Sequence, residues 1–90
     1  MRQVHLFISG RVHGVWFRDN TQKKARQLGV KGWVRNTSDG KVEAVGQGDA
    51  EQLKEFISFC HDGPSAARVD DVKFEWEEIK ENYNGFEVRY

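Results

Sequence analysis

Apolar and polar residues alternate from the start of the chain. Val4, Leu6 and Ile8 fall on one side, and His5, Phe7 and Ser9 on the other. That period of two predicts a strand. Gly10-Arg11-Val12-His13-Gly14 breaks it, and from about Phe17 to Gly29 the spacing becomes helical. Phe17, Thr21, Ala25 and Leu28 share a stripe while Lys23, Lys24 and Arg26 face outwards, and Gly29 suits a helix stop. Val30 to Asn36 and Lys41 to Gly46 read as two strands. The turn between them, Asn36-Thr37-Ser38-Asp39-Gly40, makes them a β-hairpin. Asp49 then opens a second helix as N-cap, with Gln52 three residues on to complete a capping box. Leu53, Phe56, Ile57 and Cys60 follow at i, i+3, i+4 and i+7, the clearest helical stripe in the chain. It stops at His61-Asp62-Gly63-Pro64-Ser65. Val69 to Glu77 predicts a fourth strand with Val72, Phe74 and Trp76 on one face. After a turn at Asn82-Tyr83-Asn84-Gly85, Phe86 to Tyr90 forms a short last strand.

The order is βαββαβ plus a terminal strand. Two helices cannot cover both faces of a four-stranded sheet efficiently. The expected class is therefore α+β: a two-layer, ferredoxin-like sandwich with a mainly antiparallel sheet and two helices on one face. In that topology the first and third strands are central and antiparallel, and the first and second run the same way. Topology alone then brings the Gly10–Phe17 loop and the Asn36 turn to one end of the sheet. A fold is not a function, so the chemistry must be argued from that end.

Composition narrows the classes. Ninety residues are expected to form one domain, residues 1–90. The three Trp, two Tyr and six Phe are not those of a disordered chain. Fourteen Lys and Arg balance fourteen Asp and Glu, which argues against bulk electrostatic capture of nucleic acid or an anionic membrane. A small local anion site stays open. Cys60 is the only cysteine, so no intrachain disulfide can form, and no Cys/His spacing suggests zinc. The expected setting is a reducing cytoplasm. There is no signal-peptide core and no apolar run of about 18 residues. No metal and no cofactor is expected.

At the convergent end, Gly10 and Gly14 flank a loop that feeds a helix carrying Arg18 in its first turn. Free N–H groups and the helix dipole there favour an anion, and Arg18 adds a planar fork matched to phosphate oxygens. The loop is not a Walker A motif, because Val15-Trp16 stand where that pattern wants Gly-Lys. Read by itself, such a loop is more often plain strand-to-helix geometry. Asn36 by itself is more often a turn former.

Motifs change that balance. Gly10-Arg11-Val12-His13-Gly14-Val15-Trp16-Phe17-Arg18 resembles the acylphosphatase signature G-x-V-Q-G-V-x-F-R. Gly32-Trp33-Val34-Arg35-Asn36-Thr37-Ser38-Asp39-Gly40-Lys41-Val42, with Gly48 further on, resembles that family's second signature. The two matches occur in the right order, and the family's length and element order cover essentially the whole chain. His13 departs from the pattern, standing where Gln is commoner, and leaves room for a small pH effect. The resemblance implies hydrolysis of the carboxyl-phosphate bond of small acyl phosphates to carboxylate and inorganic phosphate. It implies that Arg18 and the loop amides of His13, Gly14, Val15, Trp16 and Phe17 hold the phosphoryl group, and that Asn36 positions the attacking water. Inorganic phosphate or sulfate should then compete with substrate. A stand-alone monomer is expected rather than a domain of a carbamoyl-transfer maturation protein.

The alternative is a non-catalytic ferredoxin-like module binding phosphate or RNA. An RNA binder would need aromatics on the open sheet face within a basic surface. Phe7 and Phe74 offer some aromatic surface, without an RNP-like motif or net positive charge. The other candidates read as structural. His5 lies in a strand, His61 ends a helix, Cys60 is core, and Trp33 and Trp76 are packing. Trp16 is expected at the edge of the site. Asp70-Asp71 and Glu77-Glu78 read as solvated edges, because neighbours on a strand point to opposite faces. Finally, the last strand runs back toward the active end, where a carboxylate at Tyr90 is expected to reach Arg18.

Overall fold

Alternation along the first strand decides which side of the sheet becomes the core. In the computed structural model, which describes residues 1–90, β1 (Arg2–Arg11) buries Val4, Leu6 and Ile8 completely. Strand β1 lies between β3 (Val42–Gly48) and β4 (Arg68–Glu77), antiparallel to both. Strand β2 (Lys31–Asn36) pairs with β3, again antiparallel, and β5 (Phe86–Arg89) adds to β2 in parallel. The sheet order is β4-β1-β3-β2-β5. The two central strands are those the topology predicts, and β5 finds its place on the outer edge of β2.

Helices α1 (Phe17–Leu28) and α2 (Ala50–Asp62) carry their apolar stripes to the same core as Val4, Leu6 and Ile8. Phe17, Ala25, Leu53, Phe56 and Cys60 are buried there, each apolar side chain contributing roughly 1.5–3 kcal/mol when fully buried if it is as large as Leu or Phe. Helix α1 stops where Gly29 takes a left-handed φ of 78°, and the next amide, Val30 N–H, donates to Ala25 O at 2.8 Å. Helix α2 starts with the expected capping box. Gln52 N–H donates to Asp49 Oδ1 and Asp49 N–H to Gln52 Oε1, each at 2.8 Å. No helix is long and apolar enough to cross a membrane.

Three local readings need correction. Strand β1 does not break at Gly10 but continues to Arg11. The pairing with β4 shifts between Ser9 and Gly10: Ser9 faces Asp71 while Gly10 faces Val69. Asp70 is thus the extra residue of a bulge, and Gly10 accommodates it with φ 126°. A Cβ at Gly10 would stand 2.2 Å from the Arg68 carbonyl oxygen, so only glycine fits.

The second correction concerns β4. Phe74 pairs with Leu6 and Trp76 with Val4, so both lie on the helix-covered side. They sit on an edge strand, however, and stay 44% and 45% exposed, with the Arg2 guanidinium 4.1 Å from the Trp76 ring centre. Trp76 is therefore not a packing residue. Phe7, opposite Lys73, points to the other face, so Phe7 and Phe74 do not form one aromatic platform. Trp33 is packed as expected, donating from Nε1 to the Tyr83 hydroxyl at 3.2 Å.

The third concerns Glu77. It is not a solvated edge residue: its Oε2 lies 2.7 Å from His5 Nδ1 and its Oε1 accepts from Gln3 Nε2 at 3.0 Å. His5 Nε2 meets Glu43 Oε2 at 2.6 Å, and Glu43 also pairs with Arg35 at 2.6 Å. Since a carboxylate only accepts, both imidazole nitrogens must donate, which makes His5 an imidazolium. Burial would lower its pKa, but the hydrogen bonds and charges of Glu77 and Glu43 outweigh burial and raise it. His5 is structural, as expected, with a charged role that alternation alone did not suggest.

Candidate active site

The end of β1, the start of α1, the end of β2 and the chain end at Tyr90 surround a cleft of about 300 Å³. Its lining includes Gly14, Trp16, Phe17, Arg18 and Asn36. The two motif-bearing segments therefore meet, as the topology requires. Val12, Asp19 and Tyr90 complete the wall. Sequence reasoning did not single out Val12 or Asp19. Val12 stands at a fixed position of the first signature, a signal that was there to be read, and Asp19 follows Arg18 in a first turn that welcomes a carboxylate.

The loop reaches the helix through two left-handed residues, Gly14 at φ 70° and Trp16 at φ 65°. Trp16 is the N-cap of α1, and its carbonyl accepts the Asn20 N–H at 3.0 Å and Asn20 Nδ2 at 2.8 Å. None of the nine backbone hydrogen bonds made outside the regular elements is donated by His13, Gly14, Val15 or Trp16. No side chain accepts from those amides either. Free N–H groups ahead of a helix N-terminus are what an oxyanion needs. Val15 itself is buried in the core, so only its backbone is available to a ligand.

His13 turns away from the cleft lining. Its Nε2 lies 2.7 Å from the Lys41 carbonyl oxygen, and because a carbonyl only accepts, Nε2 carries the proton. The bond ties the loop to the β2–β3 turn. Thr37 closes that turn, with Thr37 N–H donating to Lys41 O at 2.8 Å and the Thr37 hydroxyl bonding Asp39. The hydroxyl holds the Asp39 carboxyl below its ordinary pKa.

Asn36 pairs with Val42 at the end of the hairpin through its backbone, and its side chain takes no part in closing the turn. Its Oδ1 is buried without a hydrogen-bond partner. An unpaired buried amide acceptor costs about 1–3 kcal/mol, so turn propensity is a poor account of this residue. Arg18 is half-buried beside the cleft, with its guanidinium 4.7 Å from the centre of the Tyr90 ring. Tyr90 thus approaches Arg18 as predicted, but through its ring and not through an ion pair. Tyr90 is itself 96% exposed, so the contact leaves the in-plane donors of Arg18 free.

Other cavities lack this convergence. A wider groove of about 650 Å³ at the far end of β2 mixes Arg26, Lys31 and Arg89 with Glu81 and Glu87. No three His, Cys, Asp or Glu side chains gather in metal-binding geometry. Cys60 is buried, and burial pushes its thiol up to about 12, which makes it inert at neutral pH.

Comparison with known proteins agrees with the geometry. The acylphosphatase family model matches residues 4–88. An acylphosphatase of Rubrobacter xylanophilus is 50% identical over 88 residues, covering 98% of this chain and 80% of that protein. The crystal structure of acylphosphatase from Bacillus subtilis superposes with a TM-score of 0.96 at 31% identity, covering all of both chains. An acylphosphatase structure from Coxiella burnetii gives 0.93 at 38% identity, over 98% of this chain and 92% of that one. With the family model spanning nearly every residue, and both signature segments walling one cleft, this chain belongs to the acylphosphatase family.

Proposed function

We infer that this protein hydrolyses the carboxyl-phosphate bond of small acyl phosphates, with the phosphoryl group and the attacking water held by different residues. Arg18 and the amides of His13, Gly14, Val15, Trp16 and Phe17 bind the phosphoryl oxygens. Asn36 orients the water. The observation that carries the reading is the meeting of Arg18, the unbonded loop amides and an Asn36 carboxamide the fold leaves unused.

The chemistry needs little else. The water oxygen bonds to phosphorus as the bond from phosphorus to the acyl oxygen breaks, and the carboxylate departs with that bond's electron pair. Carboxylate is a good leaving group, so no strong general acid is required. The water's proton passes to a phosphate oxygen, because Asn36 is no base at neutral pH. Fixed donors around the equatorial oxygens supply the stabilisation. Inorganic phosphate and sulfate, shaped like the bound group, compete for the loop. The 90-residue stretch acts as one domain, and a single copy supplies every residue the reaction invokes. A lone free thiol suits the cytoplasm.

The test is release of inorganic phosphate from acetyl and benzoyl phosphate. Turnover is expected on both, with competitive inhibition by inorganic phosphate. A protein that bound phosphate but released none from either substrate would be a binding module instead.

A further inference from the structure

Trp16 carries two costs at once. Its φ of 65° is a backbone conformation that residues other than glycine adopt uncommonly. Its indole is also 72% exposed, although it is the largest side-chain type in the chain. A glycine would meet the backbone requirement without strain and expose no ring. Trp16 nevertheless lines the cleft, next to Arg18, with Val12 and Phe17 as further apolar wall. Exposed Trp76 is different, since the Arg2 guanidinium lies over it and the groove it lines is crowded with carboxylates, Glu75, Glu77, Glu78 and Glu81. Trp16 makes no cation–π or ring contact within the protein.

We propose that the Trp16 indole is the wall against which the acyl group of the substrate lies, and that it gives this enzyme a preference for flat aromatic acyl groups over small aliphatic ones. The proposal rests on the reading of the Gly10–Arg18 loop as the seat of the phosphoryl group. An acyl phosphate whose phosphoryl group is bound at the loop amides must project its acyl group out of the cleft. The indole face is apolar and planar, and it is open to a ligand, being 72% exposed. It suits an aryl ring in offset or edge contact, and a methyl group gains far less there. Trp16 is thus a specificity residue. It touches the part of the substrate that does not react, so its contribution is the same in ground and transition states. The signature is a change in KM confined to aromatic substrates.

The experiment compares the unaltered protein with Trp16→Gly and Trp16→Tyr, using benzoyl phosphate and acetyl phosphate. Glycine keeps the left-handed backbone, so Trp16→Gly is expected to retain its melting temperature. Its KM for benzoyl phosphate is expected to rise about 3- to 10-fold, the worth of one aromatic contact. Because the Trp16 amide also belongs to the phosphate cradle, the deciding readout is the ratio of kcat/KM for benzoyl phosphate to that for acetyl phosphate, from which any change common to both substrates cancels, and that ratio should fall about 3- to 10-fold. Trp16→Tyr should restore most of the loss. Equal effects on both substrates, or no effect on either, overturn the proposal. A second arm needs no turnover: calorimetric affinities for benzylphosphonate and methylphosphonate. The unaltered protein should favour the benzyl compound, and Trp16→Gly should lose that preference. If neither acyl phosphate is hydrolysed, the functional reading fails while this arm still decides the subsite. An unaltered protein with no preference for the benzyl compound sinks the subsite whatever the turnover.

Discussion

Arg18 and Asn36 could be singled out as candidates from the sequence because their motifs are local and their residue types suit the chemistry, and both line the same cleft. What set them apart from ordinary loop residues was visible only in three dimensions. Asn36 leaves its carboxamide unused while Thr37 closes the turn beside it. Arg18 keeps its donors free while Tyr90 covers its face. Lysine at that position offers a point charge without the planar fork, so Arg18→Lys should lose at least about 10²-fold in kcat/KM on benzoyl phosphate. Retention of most activity would mean that charge alone suffices. Glu77 shows the opposite case. Its partner His5 stands 72 residues away, and no periodicity reveals a carboxylate that an imidazolium has drawn in from the edge. Cys60 was legible from its stripe alone. It should resist alkylation in native buffer and react at once in denaturant.

At the scale of elements, the bulge at Gly10 sets how β1 hands the chain to the loop. The missing Cβ there is a backbone requirement, and Gly10→Ala must drive a methyl into the Arg68 carbonyl. The expected cost is more than the roughly 1 kcal/mol typical of a point substitution, read as a lower midpoint in urea. The His5 network joins four strands through His5 on β1, Glu43 on β3, Glu77 on β4 and Arg35 on β2. The raised pKa of His5 gives stability that is full below its ordinary 6.5 and lost as pH climbs through the folded value. For Glu77 burial pushes the other way, but the His5 and Gln3 hydrogen bonds prevail and lower its pKa. Its contribution is full above its ordinary 4.5 and lost as pH falls through the folded value. The network should therefore stabilise most between about pH 4.5 and 6.5. A pH series of melting temperatures should show His5→Gln losing most in that window and least in alkali. A uniform loss at every pH would leave the network without a charged role.

Across the whole molecule, element order was enough to predict the two-layer sandwich, its central strands and the end where the two motif segments meet. The neighbour of β5 was not readable, because four residues cannot announce a parallel partner more than fifty positions earlier. The exposed aromatics of β4 were misread because alternation reports a face and not how far the helices extend over it. Binding at the loop should stabilise the entire fold by mass action, so inorganic phosphate should raise the melting temperature as its concentration passes its dissociation constant. Activity should survive thorough chelation, since Asp19 is the one His, Cys, Asp or Glu side chain on the cleft wall. Loss on chelation with recovery on adding a divalent ion would refute the mechanism.

The division of labour between Arg18 and Asn36 is tested most directly by pairing turnover with phosphate affinity in Asn36→Ala and Arg18→Ala. Steady-state release of phosphate from benzoyl phosphate gives kcat, and titration with inorganic phosphate, followed by Trp fluorescence, gives the affinity. Arg18→Ala should lose both phosphate binding and turnover. Asn36→Ala should bind phosphate nearly as well as the unaltered protein while kcat falls about 10²-fold or more. If Asn36→Ala instead lost phosphate binding as severely as Arg18→Ala but kept its kcat, Asn36 would belong to the anion cradle and the water would be held by something else.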